Sequence, residues 1–167
     1  MERVILFFHN LGRIPPEWSV FLVSTLPVAE LRGGIPLGVT FHLPLWKTFL
    51  LSFLGNLVPV IPLLLFLEPV AEKFRKFRLW RKFFDWLFER TRRRARLVEK
   101  YEAIGLAIFV GIPLPMTGAW TGSIAAVIFK IRFKYALVSI ITGVIMAGII
   151  VSLLSYGGKW LINYQGG

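Results

Sequence analysis

Hydrophobic and polar positions divide the chain into long apolar stretches, short apolar stretches and one charged block. Two stretches are long enough for complete spans: Thr48–Leu67 holds twenty residues without a charge, and Tyr135–Tyr156 holds twenty-two. A bilayer core of about 30 Å requires roughly 20 apolar residues in a helix that rises 1.5 Å per residue. The pattern therefore predicts two transmembrane helices.

The shorter apolar stretches occur in two pairs. Trp18–Ala29 and Ile35–Trp46 form the first pair, and Ala103–Ile112 and Ser123–Phe129 form the second. Apolar segments of about 10–14 residues are too short to span easily and are typical of re-entrant structures, which enter and leave the bilayer on one side. Each pair therefore predicts a re-entrant helical hairpin.

Proline and glycine residues separate the two members of each pair. The residues expected to break the helices are Pro27, Gly33, Gly34 and Pro36 in the first hairpin, and Pro113, Pro115, Gly118 and Gly122 in the second. A broken helix leaves backbone polar groups that only protein or a water-filled cavity can satisfy in the bilayer. Paired breaks in corresponding halves indicate a transport site near the midplane.

The two hairpins belong to an internal repeat. When the chain is shifted by 88 residues, five identities align without a gap: Pro27 with Pro115, Gly34 with Gly122, Val39 with Val127, Phe41 with Phe129, and Gly55 with Gly143. Apolar sequences match easily, so the shared order of half-helix, break, half-helix and full span is the stronger argument.

A basic block joins the two repeats. Residues 69–102 contain twelve Lys/Arg and five Asp/Glu, and the positive-inside rule makes this segment cytoplasmic and the protein a multi-pass protein of the inner membrane. Its apolar residues recur at helical spacing, which predicts an amphipathic helix in the membrane interface, with anionic head groups as partners. They are Val70, Phe74, Phe77, Phe84, Leu87 and Phe88.

These elements define the predicted fold, an all-α integral membrane protein with a single membrane domain over residues 1–167. Repeat 1 covers residues 14–68, the basic linker residues 69–102, and repeat 2 residues 103–157. Each repeat is a re-entrant hairpin plus a transmembrane helix. Because the chain crosses the bilayer once between the repeats, the two must be inverted relative to each other.

Composition excludes several classes of function. The chain is 56% hydrophobic, and its net charge of +11 is concentrated in the linker, which argues against a nucleic-acid partner. There are no cysteines, and the two histidines offer no spaced metal set. The sequence contains no catalytic triad and no phosphate-binding loop, so we expect neither an enzyme nor a cofactor.

Glu30 and Arg32 are the sharpest candidates for chemistry. Charged side chains at membrane depth cost at least roughly 2.5–3.5 kcal/mol, so they are usually functional and usually paired. The arginine suits an anionic group, while the carboxylate could bind a cation or carry a proton. An ion pair that only stabilises the hairpin is the alternative.

The other candidates are uncharged. Thr117, Trp120 and Thr121 could contact a substrate in the second hairpin, or their hydroxyls could cover the carbonyls of the broken helix. Asn56 lies inside the first span, where an amide must reach a hairpin, a ligand or another helix to be tolerated.

Two of these motifs carry a family resemblance. Glu30-Leu-Arg-Gly-Gly-Ile-Pro36 with Gly55-Asn56, and Pro113-Leu-Pro-Met-Thr-Gly-Ala-Trp-Thr-Gly122, resemble the small multidrug export protein family, which looks related to the DedA (SNARE-associated, VTT) superfamily. The resemblance implies a transporter-like architecture. DedA-type proteins carry an acidic residue and an arginine in facing hairpins, whereas here both charges share one hairpin.

The sequence therefore predicts a small secondary transporter, with a proton as candidate coupling ion. It would export a small molecule through a midplane site between the two hairpins. A chain with so few helices would need a homo-oligomer to enclose a pathway. Two alternatives stay open, a DedA-like carrier or scramblase for a phosphate-bearing lipid, and a membrane scaffold without transport.

Overall fold

A computed structural model describes residues 14–74, 78–114 and 117–165 of the chain. This part is helical, as the hydrophobic pattern predicts. Its helices in chain order are α1 (Pro16–Thr25), α2 (Glu30–Thr40), α3 (Leu45–Leu57), α4 (Val60–Phe74), α5 (Arg78–Arg94), α6 (Arg96–Gly111), α7 (Ala119–Ile128) and α8 (Phe133–Gln165).

Two stretches are long and apolar enough to cross a membrane, Leu45–Val70 and Phe133–Gly158. They contain the two spans that the sequence predicts. The first has a turn at Val58–Pro59 between α3 and α4, because Pro59 and Pro62 supply no N–H to the helical ladder. The second is one continuous helix, since a single glycine costs only about 1 kcal/mol and leaves the ladder intact.

The chain forms two compact units. Unit 1 contains residues 1–56 and 148–167, and unit 2 contains residues 57–147. In unit 1, α1 packs against α2 over Val20, Leu31 and Ile35, which are almost fully buried. The C-terminal part of α8 completes this unit. There the Tyr156 hydroxyl donates to the Leu43 carbonyl at 2.9 Å and shares a second hydrogen bond of 2.9 Å with Thr48 Oγ1.

An ion pair joins the N-terminal ends of α1 and α3. Lys47 Nζ lies 2.8 Å from Glu17 Oε1, and both side chains are roughly one-third exposed. The hydrogen bond from Lys47 lowers the pKa of the Glu17 carboxyl. A lowered pKa means that the pair stabilises the fold above the unfolded pKa of Glu17, and that this contribution disappears as the pH falls through the folded value. Because the pair is open to solvent, its effect is small.

In unit 2, α7 packs against α4, α5 and α6. Small residues make these contacts close: Ala119, Ala125 and Ala126 are almost fully buried. A side chain at Gly143 would meet Val110 Cβ at 2.6 Å and the Ala107 carbonyl at 2.7 Å, so α6 and α8 approach each other through this glycine. Small residues that permit close backbone approach are characteristic of helix packing in membranes.

The C-terminal ends of α2 and α7 have the same hydrogen-bond pattern, and their residue numbers differ by 88. The N–H groups of Phe41, His42 and Leu43 donate to the carbonyls of Leu37, Val39 and Gly38, and those of Phe129, Lys130 and Ile131 donate to Ala125, Val127 and Ala126. His42 and Lys130, at equivalent positions, both have positive φ, 56° and 53°. The next helices, α3 and α8, also begin 88 residues apart. The same offset of 88 residues in the helix ends and in the starts of the next helices supports the internal repeat.

The structure of the basic linker differs from the predicted interfacial helix, because part of its apolar stripe faces the protein interior. Phe84 is only 6% exposed and Thr91 only 4%, because α5 packs against α4 and α7 inside unit 2. Among the side chains of α5 that the structure describes, Phe83 and Trp86 are exposed aromatic residues, between the positions of the predicted stripe. The periodicity correctly predicted a helix, and of its apolar positions Phe84 is buried in the protein interior, Leu87 and Phe88 are half-buried, and Val70 is exposed. The side chains of Phe74 and Phe77 lie outside the described residues.

Candidate functional site

The first hairpin breaks at residues Leu26–Ala29, between α1 and α2. The Leu26 N–H donates to the Val23 carbonyl at 3.2 Å, and the Glu30 N–H donates to the Leu26 carbonyl at 2.9 Å. Glu30, the first residue of α2, has φ of 48°. A non-glycine residue in this region carries strain of order 1–3 kcal/mol, which often accompanies a functional position. Pro27 is exposed in the turn, as expected for a breaking residue.

Gly33, Gly34 and Pro36 do not break the helix, and the prediction for these three residues is wrong. All three lie inside α2, which continues to Thr40. The glycines permit close packing. A side chain at Gly33 would meet Ala29 Cβ at 2.9 Å, and one at Gly34 would overlap Ser24 Oγ and lie 2.8 Å from Ser52 Oγ. Tight contacts with α1 and α3 hold the helix through a proline that removes one hydrogen bond.

The two charges of the hairpin fall on the first turn of α2. Glu30 is 6% exposed, whereas Arg32 is half-buried, and the two side chains interact electrostatically. Glu30 precedes Gly34 by one helical turn, so both lie on the face of α2 that meets α1 and α3. The structure therefore brings a buried carboxylate, a guanidinium and the close contact at Gly34 into one hairpin.

Asn56 belongs to a buried polar stripe on α3. Thr48, Ser52 and Asn56 follow one another at intervals of four residues and are at most 1% exposed. Ser52 Oγ and Asn56 Oδ1 have no hydrogen-bond partner among the residues that the structure describes. Such atoms normally cost about 1–3 kcal/mol each, so their presence requires an explanation. Ser52 lies against Gly34, which connects this stripe to the first hairpin.

Sequence reasoning missed Ser24, Ser52 and Ser152 as members of the polar interior of unit 1. Ser24 is fully buried and donates to the Val20 carbonyl at 2.8 Å, and Ser152 is 7% exposed with its Oγ unpartnered among the described residues. The available signal was periodicity. Polar residues recur every fourth position in both apolar spans, at 48, 52 and 56 and at 152 and 156, which marks one face of each helix.

The second hairpin breaks between α6 and α7, where the structure describes residues 112–114, 117 and 118. The Thr117 hydroxyl lies 2.8 Å from the Ile112 carbonyl and 2.9 Å from the Leu114 carbonyl, and it accepts a bond from the Leu114 N–H. Thr121 Oγ1 accepts from the Gly118 N–H at 3.0 Å at the start of α7. Both threonines thus satisfy the backbone of the break, which favours the alternative that they stabilise the hairpin.

As in the first hairpin, some of the predicted breaking residues lie at the break and others lie inside a helix. Gly118 is buried at the break, and Pro113 also lies within it. Gly122 lies inside α7, where a side chain would overlap Val110, so its role is packing and the prediction that it breaks the helix is wrong. Trp120 is half-buried in the first turn of α7. Pro115 lies outside the described residues.

Replacing Thr117 tests its structural role. We expect Thr117→Val to lower the free energy of unfolding by about 1 kcal/mol, because the hydroxyl that bonds to the backbone of the break is lost, while the backbone bonds of Leu114 to Ile112 and of Thr117 to Leu114 remain. Thr142→Val is the matched control, since the Thr142 hydroxyl is exposed and bonds only within its own helix, to the Val138 carbonyl. Thermal unfolding in detergent measures both. Equal effects of the two substitutions would contradict a specific role for Thr117.

The geometry defines an all-helical membrane protein in which a charged, broken-helix hairpin meets a polar stripe on an apolar span. Among the described residues, two helical stretches are long and apolar enough to span a membrane, and no three His, Asp or Glu side chains form a group that could hold a metal ion. Residues 30–150 match the family described as Putative small multi-drug export protein, and the chain belongs to this family. Neither the curated proteins nor the solved structures gave a match.

Proposed function

We propose that this protein is a secondary transporter that exports a small molecule and uses Glu30 as its ion- or proton-carrying group. The observation that carries the proposal is the carboxylate itself: Glu30 is 6% exposed, has a strained backbone, and stands at a helix break in a chain of an export family. Buried ionisable groups in membrane segments commonly mark ion or substrate pathways. Arg32, half-buried beside it, would contact an anionic group or balance the carboxylate.

The internal repeat supports this assignment. Many transporter folds consist of two structural repeats with inverted topology and with discontinuous helices near the midplane. The identical ends of α2 and α7 and the equal offset of α3 and α8 are what such repeats would produce. We therefore propose that the repeats are inverted and that their hairpins are re-entrant.

The hairpins differ in chemistry, which directs the proposal to the first. In the second, the threonine hydroxyls are engaged with the backbone of the break. In the first, Glu30 interacts with Arg32 and precedes by one helical turn Gly34, which lies against the buried Ser52 of α3. We propose that the first hairpin carries the ion and substrate chemistry, and that the second is mainly structural.

A flux measurement tests the role of Glu30. The protein, reconstituted into liposomes, would be given ethidium, a lipophilic cationic dye, under an imposed pH gradient. We expect gradient-driven dye flux in the wild type and its loss in Glu30→Gln. Glu17→Gln is the matched control, because it makes the same chemical change at the solvent-exposed end of α1. Flux that survives Glu30→Gln would remove this carboxylate from the mechanism.

The same liposomes discriminate the alternatives. If the dye does not move but labelled phospholipid crosses the bilayer, and Arg32→Ala stops it, the protein is a lipid carrier. If neither dye nor lipid moves in folded protein, the scaffold alternative is correct.

Anionic lipid is the partner we propose for α5. On its exposed face, the Arg90 guanidinium lies 5.0 Å from the ring centre of Trp86, and Arg93 pairs with Glu89 at 3.0 Å. Together these residues line an open groove of about 380 Å³. Arginine beside tryptophan suits the boundary between head groups and acyl chains, where the ring is half in hydrocarbon and the cation meets phosphate.

A further inference from the structure

The interior of unit 1 contains polar oxygen atoms that its own fold leaves without partners. Ser52 Oγ, Asn56 Oδ1 and Ser152 Oγ are buried and unpartnered among the described residues. Native structures rarely keep such atoms unless a water, an ion or a ligand satisfies them. Ser52 and Asn56 lie one helical turn apart on α3, and Ser24 of α1 and Gly34 of α2 adjoin them at Ser52.

The second repeat shows that the architecture does not require these polar groups. Shifted by 88 residues, Thr48, Ser52 and Asn56 correspond to Ala136, Ile140 and Val144, which are equally buried in unit 2. Gly34 lies against Ser52, and its equivalent Gly122 lies against Ile140 at 3.8 Å. The same helix contacts therefore form with apolar side chains in one unit and with polar ones in the other. A purely structural origin for the polar stripe is disfavoured by this comparison.

Two helix ends give the cluster its electrostatic character. Helix α1 ends at Thr25 and α3 at Leu57, and their last turns touch, since a side chain at Gly55 would meet the Phe21 carbonyl and Ser24 Cβ. The C-terminal end of a helix carries a partial negative charge. In addition, the Gly55 carbonyl cannot receive the usual bond from residue 59, because that residue is proline. Carbonyl oxygens and negative helix ends are therefore concentrated where Ser52 and Asn56 lie.

This combination selects a small monovalent cation. Oxygen atoms from hydroxyls, an amide and a broken helix are ligands of hard cations, and broken-helix carbonyls coordinate Na⁺ in transporters. An anion would meet two negative helix ends. A divalent ion normally requires several carboxylates, whereas the described part of unit 1 contains Glu17, at its exposed edge, and Glu30, which already interacts with Arg32.

We propose that unit 1 binds a sodium ion at a site made by Ser52 Oγ, Asn56 Oδ1 and the carbonyl end of α3. The binding itself does not depend on the proposed function. Its role as the coupling ion of export rests on the proposed function. Ser24 of α1 adjoins the site: its hydroxyl donates to the Val20 carbonyl at 2.8 Å, and a side chain at Gly34 would meet both Ser24 Oγ and Ser52 Oγ.

Thermal unfolding of the full-length protein in detergent tests the site. Sodium chloride would replace choline chloride at constant ionic strength, with potassium chloride as a parallel series. We expect sodium to raise Tm by about 3–5 °C at roughly ten times its dissociation constant. Asn56→Val and Ser52→Ala should each remove this rise. Ser123→Ala should keep it, because Ser123 is an equally buried serine of unit 2 that bonds to the Ala119 carbonyl.

The outcomes separate the possibilities. A sodium-specific rise that both α3 variants lose supports the site, and Asn56→Asp, which supplies a carboxylate, should then bind sodium more tightly. No rise in the wild type, an equal rise with potassium, or a rise that survives in both variants would overturn it. If Asn56→Val does not fold, Ser52→Ala and Asn56→Asp decide the question.

The failure of transport would be distinguishable from the failure of this site. Sodium-dependent stabilisation without dye flux would leave the ion site in place and remove the transporter. Dye flux in the absence of any sodium effect on Tm would support the transporter and remove the sodium site.

Discussion

Gly55→Val is expected to prevent unit 1 from folding. A side chain at this position would overlap the Phe21 carbonyl oxygen and lie 3.0 Å from Ser24 Cβ and 3.3 Å from the Phe21 carbonyl carbon. Two of these atoms belong to the backbone of α1, so no rotamer change relieves the clash. Overpacking usually costs about 1–3 kcal/mol, and we expect the upper end of this range or more. The measurement is the yield of monodisperse protein and its Tm in detergent.

Gly157→Val provides the matched control for this experiment. The same substitution there meets nothing within 4 Å, and the residue lies in the same unit, on the last part of α8. We expect a change of less than about 0.5 kcal/mol, as for most substitutions away from packed features. Normal folding of Gly55→Val would show that α1 and α3 are further apart than the structure has them.

Arg32→Leu should destabilise the protein by roughly 3 kcal/mol. Its loss leaves Glu30, which is 6% exposed, without the cation with which it interacts. Removing one partner of a buried ion pair costs about 3–5 kcal/mol because the other charge stays uncompensated. We expect the lower end, since Arg32 itself is only half-buried. Thermal or chemical unfolding in detergent gives the value.

A double-mutant cycle and a surface pair complete this test. Glu30→Gln combined with Arg32→Leu should recover most of the stability lost in Arg32→Leu, because no buried charge remains. Arg93→Leu makes the same change at an exposed ion pair, whose side chains are 77% and 59% exposed, and should cost less than about 1 kcal/mol. If Arg32→Leu costs no more than Arg93→Leu, the charges of the first hairpin do not stabilise each other.

Much of the fold followed from the sequence because hydrophobic length and proline position are local properties. Uncharged runs of sufficient length gave the two spans, and the breaks near Pro27 and Pro113 were located correctly. The error at Gly33, Gly34 and Gly122 has a physical cause. A glycine serves equally well in a turn and in a tight helix contact, and only the neighbours decide which.

The candidate site was less predictable for the same reason. Glu30 and Arg32 were evident because charges are rare in apolar sequence. Ser24 and Ser52 were not, since serine is common and its meaning depends on whether a partner is within reach. The hydroxyls of Thr117 and Thr121 illustrate the converse. The sequence predicts them as possible substrate contacts, and only the distances to the Ile112 carbonyl and the Gly118 N–H reveal their backbone partners.

The division of the chain into units has a consequence for biogenesis. Unit 1 is made from the first 56 residues and from residues 148–167, whereas unit 2 is continuous from 57 to 147. During synthesis, unit 1 therefore begins before unit 2 but is completed after it. Until Tyr156 emerges, the Leu43 carbonyl and Thr48 lack their closing hydrogen bonds. The N-terminal part of unit 1 is therefore made before these contacts can form, and a chain truncated before residue 148 would lack them permanently.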